Sequence, residues 1–420
     1  MSTDVVAERI GHEVTAEVPL DQVVERVTAG EVIVLNGCLQ ALGYFETFQS
    51  IIRDVFAACI GPDRTAPVMA RGLEWLHLFV SSSELTEITK RLQADLAEAS
   101  MMMVKKVARD LLGVKGDAYA EEARNIRIFV PQDSWVIGRD DYLQFERERN
   151  RGKLTLHGPH TDVWGYHPLN VINVWTAIGP VLPGNGMSIW PELFGRIPPM
   201  GEWHVSRTDQ VLGTPFGISL NAGDALLFHV GHIHGSRINQ TDQTRFVCSA
   251  RFTAGPPLLY DKPWYSYMHV DDIPDRIGAA VPPCATDPER PAIPPANIDT
   301  ANRLPASVAA HPDEAPGTLV FESGSLGVGE VRPLTDDYCV ARSKDGVFAF
   351  ARRCPHEGGD LAAGYIQGSQ VYCPWHNLAI DLHTGQSPCR SLPAIQTLSL
   401  TETDNTVRVA GLPSEAAFSN

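Results

Sequence analysis

The chain has 420 residues, room for two or three domains, and its 44% hydrophobic and 20% charged content marks a globular protein with a sizeable core. A formal net charge of −16, from 50 acidic and 34 basic residues, argues against a non-specific grip on nucleic acid or an anionic membrane. No stretch reaches the roughly 18 apolar residues of a membrane span, and the opening MSTDVVAERI lacks the basic start and apolar run of a signal peptide, so a cytoplasmic protein is expected.

In chain order, residues 21–27 have a helical pattern, 32–35 read as a buried strand, and 44–59 carry apolar residues at helical spacing. The serines from Ser81 predict a helix start, and 84–112, rich in Leu, Ala, Met and Lys, predict one long helix. Within it Met101, Met102 and Met103 are expected to pack in the core rather than line a plastic binding surface. Residues 125–130 read as a strand. From 154 to 255 the character changes to short β-like runs, turns rich in Gly, Asn and Pro, and most of the histidines. Residues 170–178 are nearly continuous apolar, 225–230 a strand, and 245–252 an alternating strand with Arg245, Val247, Ser249 and Arg251 on one face. Many short strands punctuated by turns predict a sandwich or barrel of antiparallel strands. Residues 281–316 are proline-dense and nearly free of aromatics, a semi-extended linker. Strands resume after it, and Asp345-Gly346 signals a hairpin. The expected division is a large domain over 1–280, the linker, and a small all-β domain over 317–420.

Two sets of residues carry chemistry. The first is His157-Gly-Pro-His160-Thr-Asp162, followed far downstream by Gly223-Asp-Ala-Leu-Leu-Phe-His229-Val-Gly-His232-Ile-His234-Gly-Ser236 and then Arg245. Two imidazoles and one carboxylate on one face of ferrous iron leave three positions open for substrate, cosubstrate and dioxygen. A His-x-Asp pair on one strand would supply two of these donors, since residues two apart point the same way. The third must come from a distant strand.

This series, with Asn185-Gly186 and Trp190-Pro191 between its halves, resembles the phytanoyl-CoA dioxygenase family over 154–255, and 20–60 fits that family's N-terminal strand and helix. The resemblance implies an Fe(II)/2-oxoglutarate oxygenase on a double-stranded β-helix, or jelly roll, its core about 125–255. Carried over, His160, Asp162 and His234 hold the iron, and Arg245 grips the distal carboxylate of 2-oxoglutarate with its planar fork. His232 rivals His234 as third ligand, and Arg251 rivals Arg245, though its place in a final strand also suits a buried salt bridge. His157, His167 and His229 read as core histidines or supports to the ligands. Trp164, Tyr166 and Trp175 line a pocket or pack in the core.

The second set is Cys354-Pro-His356 and Cys373-Pro-Trp-His376, with sixteen residues between His356 and Cys373. Two cysteines and two histidines also satisfy tetrahedral zinc, but zinc fingers pair their histidines on a helix, whereas here each loop offers one of each between strand-like runs. Two thiolates on one iron and two imidazoles on the other make the Rieske type of [2Fe–2S] cluster. The spacing resembles the Rieske ferredoxin family over about 317–412. The disulfide-forming cysteines of its high-potential respiratory branch are replaced here by Gly359 and Trp375, which implies the soluble, lower-potential branch. Loop positions for His356 and His376 imply exposed imidazoles and a pH-coupled potential. The other six cysteines (Cys38, Cys59, Cys248, Cys284, Cys339, Cys389) have neither disulfide-like nor metal-like spacing, as in a reducing compartment.

Together these imply a non-haem iron oxygenase that hydroxylates or otherwise oxidises a small organic substrate with O2 and 2-oxoglutarate. Such enzymes draw two electrons from the cosubstrate in each turnover, so a Rieske domain is surplus unless it restores iron stranded as Fe(III) or feeds an unusual reaction. Two alternatives stand beside this: an oxygenase without 2-oxoglutarate, driven by NAD(P)H through a ferredoxin or reductase partner and the cluster, and a non-catalytic redox sensor or electron carrier. The linker length permits electron transfer within one chain or to a neighbouring subunit, and a homo-oligomer is expected.

Overall fold

The computed structural model describes residues 5–10, 16–122, 125–134, 156–165, 167–196, 198, 200, 205–206, 210–258, 266–277, 309–310, 317–356, 358–390 and 392–412. Nearly all of the proline-rich stretch, with Cys284 in it, lies outside these residues, as does Tyr166. The chain divides into two compact units, one of 1–197, 203–205 and 216–297, the other of 198–202, 206–215 and 298–420. The first mixes α-helices and strands, and among the described residues the second holds strands and short 3-10 turns.

The first unit begins with β1 (Val6–Ile10), β2 (Ala16–Val18), α1 (Val23–Thr28), β3 (Val32–Asn36) and α2 (Cys38–Ala41). Then come α3 (Phe45–Ile60), α4 (Pro62–Arg71), α5 (Ser82–Asp95) and α6 (Ala97–Lys106). The strands that follow are β4 (Ala118–Glu121), β5 (Asn125–Phe129), β6 (Val171–Ala177), β7 (Met187–Trp190), β8 (Phe216–Gly217), β9 (Ala225–His229), β10 (Ile233–Ser236), β11 (Arg245–Ala254) and β12 (Tyr267–His269). Helix α3 forms because Phe48, Ile52, Val55, Phe56 and Ile60 make one apolar stripe, all buried. It ends at Gly61, whose φ of +82° lies in the region glycine enters without strain. Helix α5 starts at a capping box: the Ser81 hydroxyl accepts from the Glu84 N–H, and the Glu84 carboxylate accepts from the Ser81 N–H. The single long helix expected over 84–112 is instead α5, a break at buried Leu96, α6 and a π-helical turn at Val107–Leu111. No Gly or Pro marks the break, so periodicity carried straight across it. Met101, Met102 and Met103 are buried in the core, as expected.

Among the described residues, nine strands form one antiparallel sheet in the order β12-β4-β11-β6-β9-β3-β1-β2, with β5 also paired to β11, and β10-β7-β8 form a second. Side-chain alternation sorts the large sheet. Ile33, Leu35, Val174, Leu227, Phe246, Cys248 and Phe252 face the helices in one core. Val32, Val34, Trp175, Ala177, Leu226, Phe228 and Val247 face Met187, Ile189 and Ile218 of the smaller-sheet side in another. At about 1.5–3 kcal/mol for each large apolar side chain, these two cores dominate the unit's stability.

The second unit is built of short strands: β13 (Ala309–Ala310), β14 (Leu319–Glu322), β15 (Val331–Pro333), β16 (Tyr338–Ser343), β17 (Gly346–Ala351), β18 (Tyr365–Gln367), β19 (Gln370–Tyr372), β20 (Ala379–Asp381), β21 (Thr397–Leu398), β22 (Leu400–Thr403) and β23 (Thr406–Val409). They make three antiparallel sheets, β13-β14-β23-β22, β15-β16-β17-β21 and β18-β19-β20. The β16–β17 hairpin forms where expected, but its two loop residues are Lys344-Asp345, and Gly346 pairs with Ser343 as the first residue of β17. The β22–β23 hairpin turns on Asp404-Asn405, both at positive φ, which Asp and Asn tolerate better than most residues.

Candidate metal centres

His160 and His234 meet as a single antiparallel bridge between the stretch before β6 and strand β10. The His160 N–H donates to the His234 carbonyl (2.7 Å), and the His234 N–H donates back (2.8 Å). The expected strand across His-x-Asp does not form. Directly after the bridge the chain enters a 3-10 turn, Asp162–Gly165, held by Trp164 N–H to Thr161 carbonyl (3.1 Å) and by the Thr161 hydroxyl on the Val230 carbonyl (2.8 Å). The turn, rather than strand alternation, carries Asp162 to the imidazoles. One ligand atom from each of His160, Asp162 and His234 falls within 4.8 Å of the others. Asp162 Oδ1 lies 3.7 Å from His160 Nε2 and 3.8 Å from His234 Nε2, and all three side chains are buried.

The surroundings set the protonation of this group. His160 Nδ1 is 2.8 Å from the Gly158 carbonyl and His234 Nδ1 is 3.1 Å from the His232 carbonyl. A carbonyl only accepts, so each Nδ1 carries the proton and each Nε2 presents its lone pair to the common centre. Burial, helped by the charges of His157 and His234, holds His160 well below its ordinary pKa, and burial likewise lowers His234. Burial alone would raise Asp162, but the guanidinium of Arg251 and the nearby imidazoles outweigh it and hold the carboxyl well below the usual range. Two neutral imidazoles and one carboxylate are therefore aimed at one point. This is the donor set that suits a divalent iron with open positions.

The rival residues separate cleanly. His232 is turned away, with Nε2 3.1 Å from the Gly30 carbonyl and Nδ1 3.2 Å from the His229 carbonyl. His167 packs against the Tyr267 hydroxyl (3.2 Å), and His157 stacks on the His160 ring with centroids 4.0 Å apart. Arg251 is engaged by two buried carboxylates, Glu121 (2.9 Å) and Asp162 (3.3 Å). Arg245 is fully buried and meets no carboxylate among the described residues. Its Nη1 donates to the carbonyls of Asn185 (2.9 Å) and Gly186 (2.6 Å), its Nε has no hydrogen-bond partner among the described residues, and its guanidinium lies 4.1 Å from the Phe129 ring centroid. Burial and the neighbouring Arg127 push its pKa down to about 9. His160, His234, Arg245, Arg127 and Trp175 line one cavity, whereas Trp164 packs beside the Val163, Val171, Val230 and Tyr267 cluster.

In the second unit one cysteine–histidine loop follows β17 and the other follows β19. Cys354 and Cys373 are buried and hydrogen-bonded thiol to thiol, which together with burial holds the Cys373 thiol well above its ordinary pKa. The His356 and His376 rings stand 5.1 Å apart and nearly perpendicular. The expectation that both imidazoles are exposed is corrected for His376, which is buried at 3% exposure. His356 is half-buried, and burial pushes its pKa down to about 4. Among the described residues, the group within 4.8 Å is the upstream triad, and these four donors are not drawn together on that scale. A single tetrahedral zinc, with ligand bonds of about 2.0–2.3 Å, would require it, whereas a two-iron cluster spreads its ligands.

Gly359 completes the cradle. A Cβ there would come within 2.9 Å of the Cys373 sulfur, so a side chain would push that sulfur aside. The same Cβ would stand 3.6 Å from that of Trp375, inside the roughly 3.5–4.5 Å of a disulfide. Positions 359 and 375 are thus placed for a bridge that their residues cannot form. The first loop is braced by a two-point ion pair, Arg352 Nε to Asp360 Oδ1 (2.9 Å) and Nη2 to Oδ2 (2.7 Å), with Asp360 1% exposed. In the second loop Asn377, at φ +55°, accepts from the Tyr365 hydroxyl (2.7 Å). Because breaking a buried pair strands a charge, Asp360→Ala is expected to destabilise the unit by about 3 kcal/mol. For a domain of this size the midpoint of thermal loss of visible absorbance should then fall by roughly 10–20 °C.

Residues 319–403 match the family described as Rieske [2Fe-2S] domain. The C-terminal part of this chain is a Rieske [2Fe–2S] domain. Over 70 residues the chain is 33% identical to the methylxanthine N1-demethylase NdmA of Pseudomonas putida, a match covering 17% of this chain and 19% of that protein, so the chain spans about a fifth of the length of that curated relative. Among solved structures, the complex of reduced oxygenase and oxidized ferredoxin in carbazole 1,9a-dioxygenase contains a chain that is 24% identical, with 23% of this chain and 96% of that chain covered and a TM-score of 0.21. The epimerase SnoN, solved in complex with Fe3+, alpha ketoglutarate and nogalamycin RO, is 16% identical with a TM-score of 0.31, covering 64% of this chain and 96% of that one.

Neither Asn173, whose Nδ2 donates to Asp162 Oδ2 (2.9 Å), nor the Arg352–Asp360 pair belongs to a sequence motif. A signal for Asn173 was present: it is two residues before Trp175 on a strand, and so on the same face.

Proposed function

We propose that this protein is a non-haem iron oxygenase of the 2-oxoglutarate-dependent kind, on a double-stranded β-helix, that oxidises a small organic substrate. In this reading the attached Rieske cluster supplies or restores electrons. The observation that carries it is Arg245, a buried guanidinium without a carboxylate partner among the described residues, lining the same cavity as His160 and His234. A buried cation is costly unless an anion meets it, and a dicarboxylate with one end at the metal and the other at Arg245 would satisfy both. The paired state of Arg251 supports giving this role to Arg245 alone.

His160, Asp162 and His234 would hold ferrous iron, which when bound supplies activation of dioxygen. The protein's own part is to fix Nε2 of each imidazole as the donor, to keep Asp162 ionised, and to hold the cosubstrate's far carboxylate against Arg245. Phe228 and Met187 in the cavity wall exclude water from the centre. The resemblance of these residues to the phytanoyl-CoA dioxygenase series supports the same reading.

A second reading has its own observation. The chain shares 33% identity over 70 residues with a methylxanthine demethylase and carries a Rieske domain, so an oxygenase that takes electrons through its cluster from a ferredoxin or NAD(P)H reductase is the competitor.

Calorimetry of 2-oxoglutarate on the anaerobic Fe(II)-loaded protein tests the choice. Clear binding is expected, and Arg245→Ala should weaken it by about 2–5 kcal/mol, roughly 30-fold to several thousand-fold. Absence of binding to the wild type would hand the electron supply to the cluster and a reductase.

A further inference from the structure

We propose that Asn173 and Arg251 form a clamp that fixes Asp162 as a one-oxygen ligand and thereby keeps the metal's remaining positions open. The inference rests on the iron-site reading above. The two residues are directly opposed across the β6–β11 pairing, so one cross-strand pair presents both side chains on the same sheet face. Asn173 Nδ2 donates to Asp162 Oδ2 at 2.9 Å, and Arg251 Nε donates to the same oxygen at 3.3 Å. Arg251 Nη2 donates to Oδ1 at 3.3 Å. Oδ1 is also the atom nearest the two imidazole Nε2 positions.

The two carboxylate oxygens therefore have different work. Oδ2 is held by two donors away from the centre, while Oδ1, with a single donor, keeps a lone pair for the metal. The asparagine cannot be read the other way round, because a carboxylate only accepts and so demands the NH2 end. Glu121 grips Arg251 from the far side, Oε2 accepting from Nη1 at 2.9 Å, which stops the guanidinium from rotating off Asp162. Asp162, Asn173 and Arg251 are buried, at 4%, 1% and 5% exposure, so water does not compete for these bonds.

Were Oδ2 free, a carboxylate this close could chelate the ion with both oxygens. That would remove one of the three positions that a two-histidine, one-carboxylate site leaves open. Asn173 and Arg251 are thus positioning residues that act through Asp162.

The test uses the full-length protein with its cluster retained and oxidised, hence diamagnetic, and manganese(II) as a paramagnetic probe of the other site. Broadening of the manganese resonance by oxygen-17 water counts the coordinated waters. Wild type should bind manganese with three waters, and His234→Ala should abolish that binding. Asn173→Ala and, separately, Arg251→Lys, each checked for a native far-ultraviolet spectrum, should bind roughly 10–100-fold more weakly. Both should show two waters in place of three. Weaker binding with three waters retained would overturn the proposal, leaving only a structural brace, and so would wild-type affinity and hydration in both variants. A wild type that takes up no manganese through His234 would sink the iron-site reading and the clamp with it, whereas tight wild-type binding beside unaltered variants would sink the clamp alone.

Discussion

The His234→Ala variant of the full-length chain is expected to lose its mononuclear iron and its turnover while keeping the visible spectrum of the Rieske cluster. The imidazole lies on β10 and its Nδ1 is held by the His232 carbonyl. Its loss leaves one imidazole and one carboxylate, too few to hold a labile divalent ion in a site that must also stay open. A metal's contribution of several kcal/mol to the chemical step translates to a fall of roughly 10³-fold or more in rate. Cys354, His356, Cys373 and His376 belong to another compact unit with its own core, built on Phe321, Tyr338, Val340 and Val407. Iron analysis, visible circular dichroism and a turnover assay on one preparation check all three points. Retained turnover would show that the triad is not the catalytic centre, and loss of the cluster spectrum would show that the two centres are not independent.

The alanine also removes a wall of the cavity and the side chain of a bridged residue, but not the bridge itself. The bridge is made by backbone groups of His160 and His234, which alanine keeps. A strong fall in stability is therefore not expected, since the lost imidazole was a neutral ring donating one hydrogen bond to a carbonyl, worth about 1 kcal/mol.

Much of this was legible in the residues because strand alternation and ligand chemistry are local rules. Arg245, Val247, Ser249 and Arg251 were read onto one face of a strand from period two alone, and Arg245, Ser249 and Arg251 line a single cavity in the fold. The two cysteine–histidine loops were legible for a different reason: four donors at short, fixed spacing need little help from tertiary structure. What failed were inferences that depended on where the chain bends. Asp162 was expected to reach the imidazoles along a strand, and a 3-10 turn delivers it. The helix over 84–112 was expected to run on, and it breaks at a buried leucine that no breaker residue announces. The choice between His232 and His234 was open in the sequence because both stand in one short run of histidines. In the fold His234 stands with His160 and Asp162, while His232 turns to the carbonyl of Gly30, some 200 residues away. The same holds for Arg245 and Arg251: strand period put both on the cavity face, and the carboxylates of Glu121, from β4, and Asp162 distinguish Arg251 from Arg245, which meets no carboxylate among the described residues.

The Cys373→Ser variant is expected to lose the [2Fe–2S] cluster completely, and with it the choice between the two proposed electron supplies becomes measurable. Cys373 is buried, its sulfur lies against the space that Gly359 leaves open, and its thiol already shares a hydrogen bond with Cys354. A serine oxygen is a hard, protonated donor where a soft thiolate is needed, so the iron on that side lacks its second sulfur ligand. The unit should nevertheless stay folded, because its hydrophobic core and the Arg352–Asp360 pair do not involve the cluster, and far-ultraviolet circular dichroism checks this. Two irons per chain should disappear while the manganese-binding behaviour of the His160–Asp162–His234 site is unchanged. If 2-oxoglutarate supplies the electrons, such a variant still forms succinate in its first turnovers and slows only as oxidised iron accumulates, and added ascorbate should restore it. If the cluster feeds the iron, oxygen uptake stops at once and ascorbate does not replace the reductase. The time course of a single variant therefore separates a domain that repairs the centre from one that drives it, because repair is needed once in many turnovers and supply is needed in every one.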